Sequence, residues 1–156
     1  MPKALSRVDL LAQAAFWRSD GERVVFTNGV FDLLHIGHAR YLAEAKTLGD
    51  RLVVGLNSDA SVRRLKGDER PFVAEEDRAE LLLHLAAVDA VTIFDEDTPV
   101  ALIEALKPDV HVKGGDYDVD KLPETPVVRA YGGEVRILRF VEGRSTSNLA
   151  DRIRRG

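Results

Sequence analysis

The chain contains no cysteine. Disulfides, thiolate metal centres and cysteine nucleophiles are therefore excluded, and the composition suits a reducing, cytoplasmic setting. No apolar run approaches the ~20 residues that cross a bilayer, so no membrane partner is expected. Residues Met1 to Asp20 interrupt their apolar positions with Lys3, Arg7, Asp9, Arg18 and Asp20, which does not read as a signal peptide. An excess of positive charge is missing too: 22 basic residues stand against 26 acidic ones, a formal net charge of -4. A protein that grips nucleic acid usually carries a basic field, so no nucleic-acid partner is expected, and a polyphosphate would have to meet a local positive pocket. Thr27 to His38 holds no G-x-G-x-x-G and the chain has no G-x-x-x-x-G-K-[ST], which disfavours a nicotinamide-dependent dehydrogenase and a Walker-type kinase. No repeat, low-complexity tract or long linker divides residues 1–156, so one domain is expected.

What is present is an alternation of apolar strands and amphipathic helices. Five runs read as strands: 23–27, 51–56, 90–94, 109–113 and 135–141. Between them lie helices capped by Ser6, running from near Ile36 to Gly49, from Asn57-Ser58-Asp59 to Leu65, from Glu75 to Ala87, from Thr98-Pro99, from Thr125-Pro126 and from Ser145. Continuous apolar strands separated by such helices predict an α/β fold with a five-stranded parallel sheet covered on both faces. Ligands of such sheets bind beyond the carboxyl ends of the strands, where the polar motifs of this chain fall.

The first strand feeds Asn28-Gly29-Val30-Phe31-Asp32-Leu33-Leu34-His35-Ile36-Gly37-His38. Three-residue spacing puts His35 and His38 on one side of the first helical turn, beside open amides and the positive end of the helix dipole. Imidazoles there can donate to phosphate oxygens and stabilise developing negative charge; the plainer alternative is a pair of capping or core histidines. Near the C-terminus, Glu142-Gly143-Arg144-Ser145-Thr146-Ser147 offers hydroxyls, open amides and a guanidinium to a phosphate, or simply caps a helix. Lys66 in a polar loop could neutralise an acceptor phosphate or be a solvated lysine of the Arg63-Arg64-Lys66 cluster. Lys113 ends a strand before Gly114 and Gly115, where a ligand can approach the backbone. Asp116 could read a base, bind a hydroxyl, assist a metal or form a turn. Asp32 reads better as loop support than as a catalyst. His84 reads as a packing or surface residue within its helix, His111 as a structural residue in a strand, Trp17 as core or interface, and Asp95-Glu96-Asp97 as a helix-favouring or solvated cluster that resembles a metal site.

Gly29, Phe31, Asp32, His35, Gly37 and His38 match, position by position, the G-x-F-D-x-x-H-x-G-H signature, and on these residues the chain resembles the cytidylyltransferase-like nucleotidyltransferases. Residues 142–147 resemble that family's R-T-x-G-[IR]-S-T-[ST] segment, although Phe140 or Val141 replaces its first arginine, leaving Arg139 or Arg144 to supply the charge. Val54 to Asp59, Ser61 to Gly67, Arg70-Pro71, Asp95 to Pro99, Pro108-Asp109 and Val112 to Tyr117 are similar to the heptose 1-phosphate adenylyltransferase branch, which often occurs fused to a kinase. The resemblance implies a Rossmann-like fold, two histidines contacting a triphosphate, loop backbone at Val30 and Phe31 against the nucleotide, ATP and Mg²⁺, and a possible homodimer. It implies His35 and His38 as catalytic residues. Val30, Phe31, Lys113, Gly114, Asp116 and Gly143 to Ser147 would bind the nucleotide, and Lys66 and Asp32 the acceptor. No metal ligands are assigned. The expected reaction is attack of an acceptor phosphate on the α-phosphorus of ATP, with D-glycero-β-D-manno-heptose 1-phosphate as acceptor. Alternatives are another sugar phosphate, glycerol 3-phosphate or a flavin precursor, CTP as donor, or a regulatory module without turnover.

Overall fold

The computed structural model describes residues 1–139 and 145–156. Its sheet has five strands: β1 (Val24–Gly29), β2 (Arg51–Asn57), β3 (Ala90–Phe94), β4 (Val110–Gly114) and β5 (Glu134–Leu138). Their order across the sheet is β3-β2-β1-β4-β5, and every neighbouring pair is parallel. Seven α-helices intervene among the described residues: α1 (Arg7–Ser19), α2 (Ile36–Lys46), α3 (Asp59–Lys66), α4 (Glu75–Leu83), α5 (Val100–Leu106), α6 (Glu124–Ala130) and α7 (Thr146–Arg155). A short 3₁₀ turn, Val119–Lys121, precedes α6.

Side-chain alternation along the strands builds two cores. Val25, Val54, Leu56 and Val112 face α2 and α4, whose Tyr41, Leu42, Ala45, Ala79 and Leu82 fill that side. Val24, Phe26 and Val53 face the other way, onto Leu10, Ala14 and Trp17 of α1, Leu102, Ile103 and Leu106 of α5, and Val128 of α6. The expectation of a parallel sheet covered on both faces therefore holds, with Trp17 in the core.

Several element boundaries differ from the sequence reading. Helix α2 ends at Lys46 with Thr47 as its cap, not at Gly49. Gly49 is instead needed where the chain turns under the sheet, since a Cβ there would lie 2.6 Å from Val25 Cγ2. Helix α4 ends at Leu83, so His84 caps it rather than lying within it. Pro99, not Thr98, is the cap residue of α5. Helix α6 begins at Glu124 with Pro123 as its cap, two residues before the cap expected at Thr125; Pro126 is tolerated because first-turn amides need no helical acceptor. Strand β5 stops at Leu138, and Phe140 and Val141 lie outside the described residues.

The sheet order reverses direction between β1 and β4, which leave in opposite senses to β2 and β5. Such a switch point opens a crevice at the carboxyl ends of the strands. Asn28 and Gly29 of β1, and Lys113 and Gly114 of β4, all line one cleft of about 400 Å³ there.

Candidate active site

The cleft begins with the turn after β1. Phe31 and Leu33 both hold positive φ, 49° and 48°. Non-glycine residues rarely adopt that region, at a cost of roughly 1–3 kcal/mol each, so neighbouring contacts must enforce it. One enabling residue is Gly29, where a Cβ would approach Phe31 Cε2 to 3.0 Å. The Phe31 ring in turn lies 5.5 Å from the His38 ring, centroid to centroid.

His35 and His38 form a reciprocal cap at the start of α2. The Gly37 amide donates to His35 Nδ1 at 3.0 Å, and the His35 amide donates to His38 Nδ1 at 3.3 Å. The rings stack with centroids 3.9 Å apart. Because each Nδ1 accepts from an amide, the proton of each neutral ring sits on Nε2, which is then a hydrogen-bond donor. Burial, reinforced by the nearby His35 and only partly opposed by Asp32, pushes His38 down to about 4. His38 is therefore a neutral Nε2–H donor at pH 7. It lines the cleft, whereas His35 stacks against it and does not. The capping role is present on the Nδ1 of both rings, and His38 in addition lines the cleft.

Asp32 organises the opposite wall. Its carboxylate is buried and accepts from the Phe72 amide at 2.8 Å, the Val73 amide at 3.0 Å and Arg70 Nε at 3.2 Å. Its carbonyl accepts the Thr146 hydroxyl at 2.5 Å. Asp32 thus pins the loop after α3 to one side of the turn and α7 to the other. Its carboxylate is committed to three donors and supports the loop.

Two residues to which the sequence reading gives no role support this wall, Arg70 on it and Arg78 behind it. Arg70 lines the cleft beside Lys66. Arg78 of α4 is fully buried and donates to the Val73 carbonyl at 2.8 Å, the Val30 carbonyl at 2.7 Å, the Asn57 carbonyl at 3.0 Å and Asp59 Oδ1 at 2.7 Å. It ties β2, α3, the Asp32 turn and the Arg70 loop together. Its signal in the sequence was only a lone arginine on an otherwise acidic and leucine-rich helix, which reads as surface.

The remaining expected residues divide. Val30, Phe31, Lys66, Lys113, Gly114, Ser145, Thr146 and Ser147 all line the cleft, joined by Tyr41 and Tyr117. Ser145 caps α7 as expected, accepting from the Asn148 amide at 3.0 Å. Asp116 is exposed and does not line the cleft. Gly143 and Arg144 lie outside the described residues, as does Glu142. His111 is buried and stacks on Phe26 at 5.6 Å. The Asp95-Glu96-Asp97 cluster is away from the cleft and paired: Arg64 with Asp97 at 3.0 Å, and Arg7 with Glu96 at 2.8 Å. Asp59, Glu75 and Glu76 lie close enough to share a cation, but Asp59 already pairs with Arg78 and none of the three lines the cleft.

Charge in the cleft runs against the charge of the chain. Among the described residues, Lys66, Arg70 and Lys113 are on its wall with Asp32 as the one carboxylate, itself paired with Arg70. Adding the neutral His38 donor and the amides of two helix starts, the surface is built to receive a polyanion. Among the described residues, the one carboxylate of the cleft is already held by Arg70 and two amides. No helix among the described residues is long and apolar enough to cross a membrane.

Comparison with known proteins agrees with this geometry. A cytidylyltransferase-like family model matches residues 26–146. The bifunctional protein HldE of Geotalea uraniireducens is 58% identical over 139 residues, 89% of this chain and 28% of that protein. The bifunctional protein HldE of Geobacter sulfurreducens is 53% identical over 150 residues, 96% of this chain and 31% of that protein. This chain therefore spans less than a third of the curated relatives it matches. A lipopolysaccharide core biosynthesis protein from Thermoplasma volcanium has a similar crystal structure, with a TM-score of 0.63 and 34% identity, covering 80% of this chain and all of that one. The family model spans the motif and runs from β1 to β5, and the chain belongs to the cytidylyltransferase-like family and is a nucleotidyltransferase.

Proposed function

We propose that the chain transfers AMP from ATP to a sugar 1-phosphate, with D-glycero-β-D-manno-heptose 1-phosphate as acceptor, yielding ADP-heptose and pyrophosphate. The observation that carries the transfer chemistry is the His38 Nε2–H donor on the wall of a basic cleft at the β1/β4 switch point. The acceptor rests on the similarity of the central segments to heptose 1-phosphate adenylyltransferases. A chain matching under a third of bifunctional relatives also fits one half of a two-activity protein, with a kinase elsewhere supplying the sugar phosphate.

In this reading an oxygen of the acceptor phosphate attacks the α-phosphorus of ATP. The new P–O bond forms as the bond to the β-phosphate bridging oxygen breaks, and pyrophosphate leaves in line. The attacking phosphate is already ionised, so no general base and no covalent enzyme intermediate are required. Catalysis rests on positioning and on charge stabilisation by fixed donors. His38 donates from Nε2 to phosphate oxygens, and His35 holds that ring in place through stacking and the shared cap. Ser145, Thr146 and Ser147 present the α7 amides and hydroxyls to the triphosphate, with Arg144 beside them in sequence. Lys113 and Gly114 border the nucleotide from β4, and Val30 and Phe31 through their backbone. Lys66 and Arg70 meet the acceptor phosphate. Mg²⁺ enters with ATP as the counter-ion of its phosphates.

The test is pyrophosphate release by the purified protein with each nucleoside triphosphate, Mg²⁺ and a panel of phosphorylated acceptors. Release only with ATP and the heptose 1-phosphate supports the reading. Equal release across acceptors overturns the heptose assignment, and none under any condition overturns turnover.

A further inference from the structure

Beneath the cleft, on the α6 side of the sheet, lies a buried carboxylate that the chemistry above does not use. Glu124, the first residue of α6, is 3% exposed. Its Oε1 lies 3.7 Å from Lys113 Nζ, and its Oε2 is buried with no hydrogen-bond partner. Among the described residues Lys113 is the one cation paired with it. The other nearby titratable group is His111, two residues before Lys113 on the same strand face. His111 is fully buried, and burial pushes it down to about 4, so it is neutral and offers Glu124 no competing charge.

A carboxylate in this position is a poor device for stability. Desolvating it costs several kcal/mol, and a pair at 3.7 Å with one oxygen unbonded recovers little of that; an apolar or amide side chain would pack the site as well. Its effect falls on Lys113. That side chain is only 23% exposed, lies 5.4 Å from the Tyr117 ring centroid and lines the cleft. A flexible four-carbon stem is thereby held between a buried anion and an aromatic face, with its remaining donors directed by those two anchors.

We propose that Glu124 is a positioning residue: its buried carboxylate holds the Lys113 ammonium at the cleft wall for contact with the bound nucleotide. This rests on the nucleotide reading of the cleft given above. Holding a lysine in advance reduces the ordering cost of binding, so losing Glu124 weakens nucleotide affinity while leaving turnover at saturation nearly unchanged.

The experiment is a double-mutant cycle on Glu124→Gln, Lys113→Met and the pair, with ATP affinity measured by calorimetry and kcat measured separately. Each single variant is expected to weaken ATP binding about tenfold, and the double variant no more than either. A second readout needs no nucleotide: the rate at which an amine-acetylating reagent modifies Lys113, followed by mass spectrometry. Freed of its anchor, Lys113 is expected to react several-fold faster in Glu124→Gln. An unchanged acetylation rate, ATP affinity equal to wild type in Glu124→Gln, or losses that multiply in the double variant each overturn the proposal. A wild-type protein that binds no ATP overturns the nucleotide reading and this proposal with it. Glu124→Met, an apolar replacement, carries the same expectations if the amide variant does not fold.

Discussion

Replacing Asp32 by asparagine isolates the contribution of one charge to the shape of the cleft. Asparagine preserves volume but turns one terminal oxygen into an NH₂ group. In the wild type, Oδ2 accepts from the Phe72 amide and Arg70 Nε, while Oδ1 accepts from the Val73 amide. The better asparagine rotamer keeps its oxygen toward Phe72 and Arg70 and sets NH₂ against the Val73 N–H. One charge-assisted bond is lost, a buried donor faces another donor, and Arg70 loses its ionic partner. Hydrogen bonds to charged groups contribute about 1.5–3 kcal/mol and an unsatisfied buried donor costs about 1–3; both describe the Val73 N–H in part, so they overlap and roughly 2–4 kcal/mol is expected in total. For a chain of this length that corresponds to a fall in Tm of about 5–15 °C. The loop can also answer by lifting off, which would carry Arg70 and the neighbouring Lys66 away from the acceptor. The KM for the phosphorylated acceptor should then rise about tenfold or more, with a smaller change in the KM for nucleotide. Thermal unfolding and steady-state kinetics on one preparation check both. An Asp32→Asn protein with wild-type Tm and acceptor KM would refute the claim that this carboxylate holds the loop.

Three further outcomes are expected. His38→Ala should lower kcat by about 10²–10³, the usual effect of removing one fixed donor to a developing charge, while Tm falls only slightly through loss of the cap to the His35 amide. Arg78→Met should destabilise by about 3–5 kcal/mol despite similar bulk, because three carbonyls and Asp59 lose a buried donor; chemical denaturation measures it, and a loss below 1 kcal/mol would contradict the network. Stability should also depend on pH through His111. Its folded value near 4 lies below the ordinary 6.5, so between these values the unfolded chain binds more protons. The contribution, roughly 3 kcal/mol, is complete above pH 6.5 and lost as pH falls toward 4. His111→Phe should flatten that slope in urea midpoints measured from pH 7 to 4.

The alternation of strands and helices was legible because continuous apolar runs such as Arg51 to Leu56 and Ala90 to Phe94 have no other economical burial. Helix starts with a hydroxyl cap, Ser6, Ser58 and Ser145, were placed correctly because the capping bond is local. Boundaries governed by proline were not, since Pro99 and Pro123 serve as cap residues where the dipeptides Thr98-Pro99 and Thr125-Pro126 suggested a start one or two residues away. Gly49 signalled a cap but serves a close approach to Val25, which only the tertiary contact reveals. In the cleft, His38 and the Ser145 to Ser147 segment were readable from motifs contiguous in sequence. Arg70, Arg78 and Glu124 were not: each acquires its role from partners 20 to 50 residues away or from burial that its residue type argues against. Asp116 illustrates the converse, a polar residue after a strand that the fold leaves outside the cleft.

The proposed chemistry depends on where the triphosphate binds relative to His38. A crystal structure of the protein with a non-hydrolysable ATP analogue, in which the α,β-bridging oxygen is replaced, measures this directly. A phosphate oxygen is expected about 3 Å from His38 Nε2, with the remaining phosphates at the start of α7. A nucleotide bound outside the β1/β4 cleft, or inside it with its phosphates turned away from His38, would contradict it.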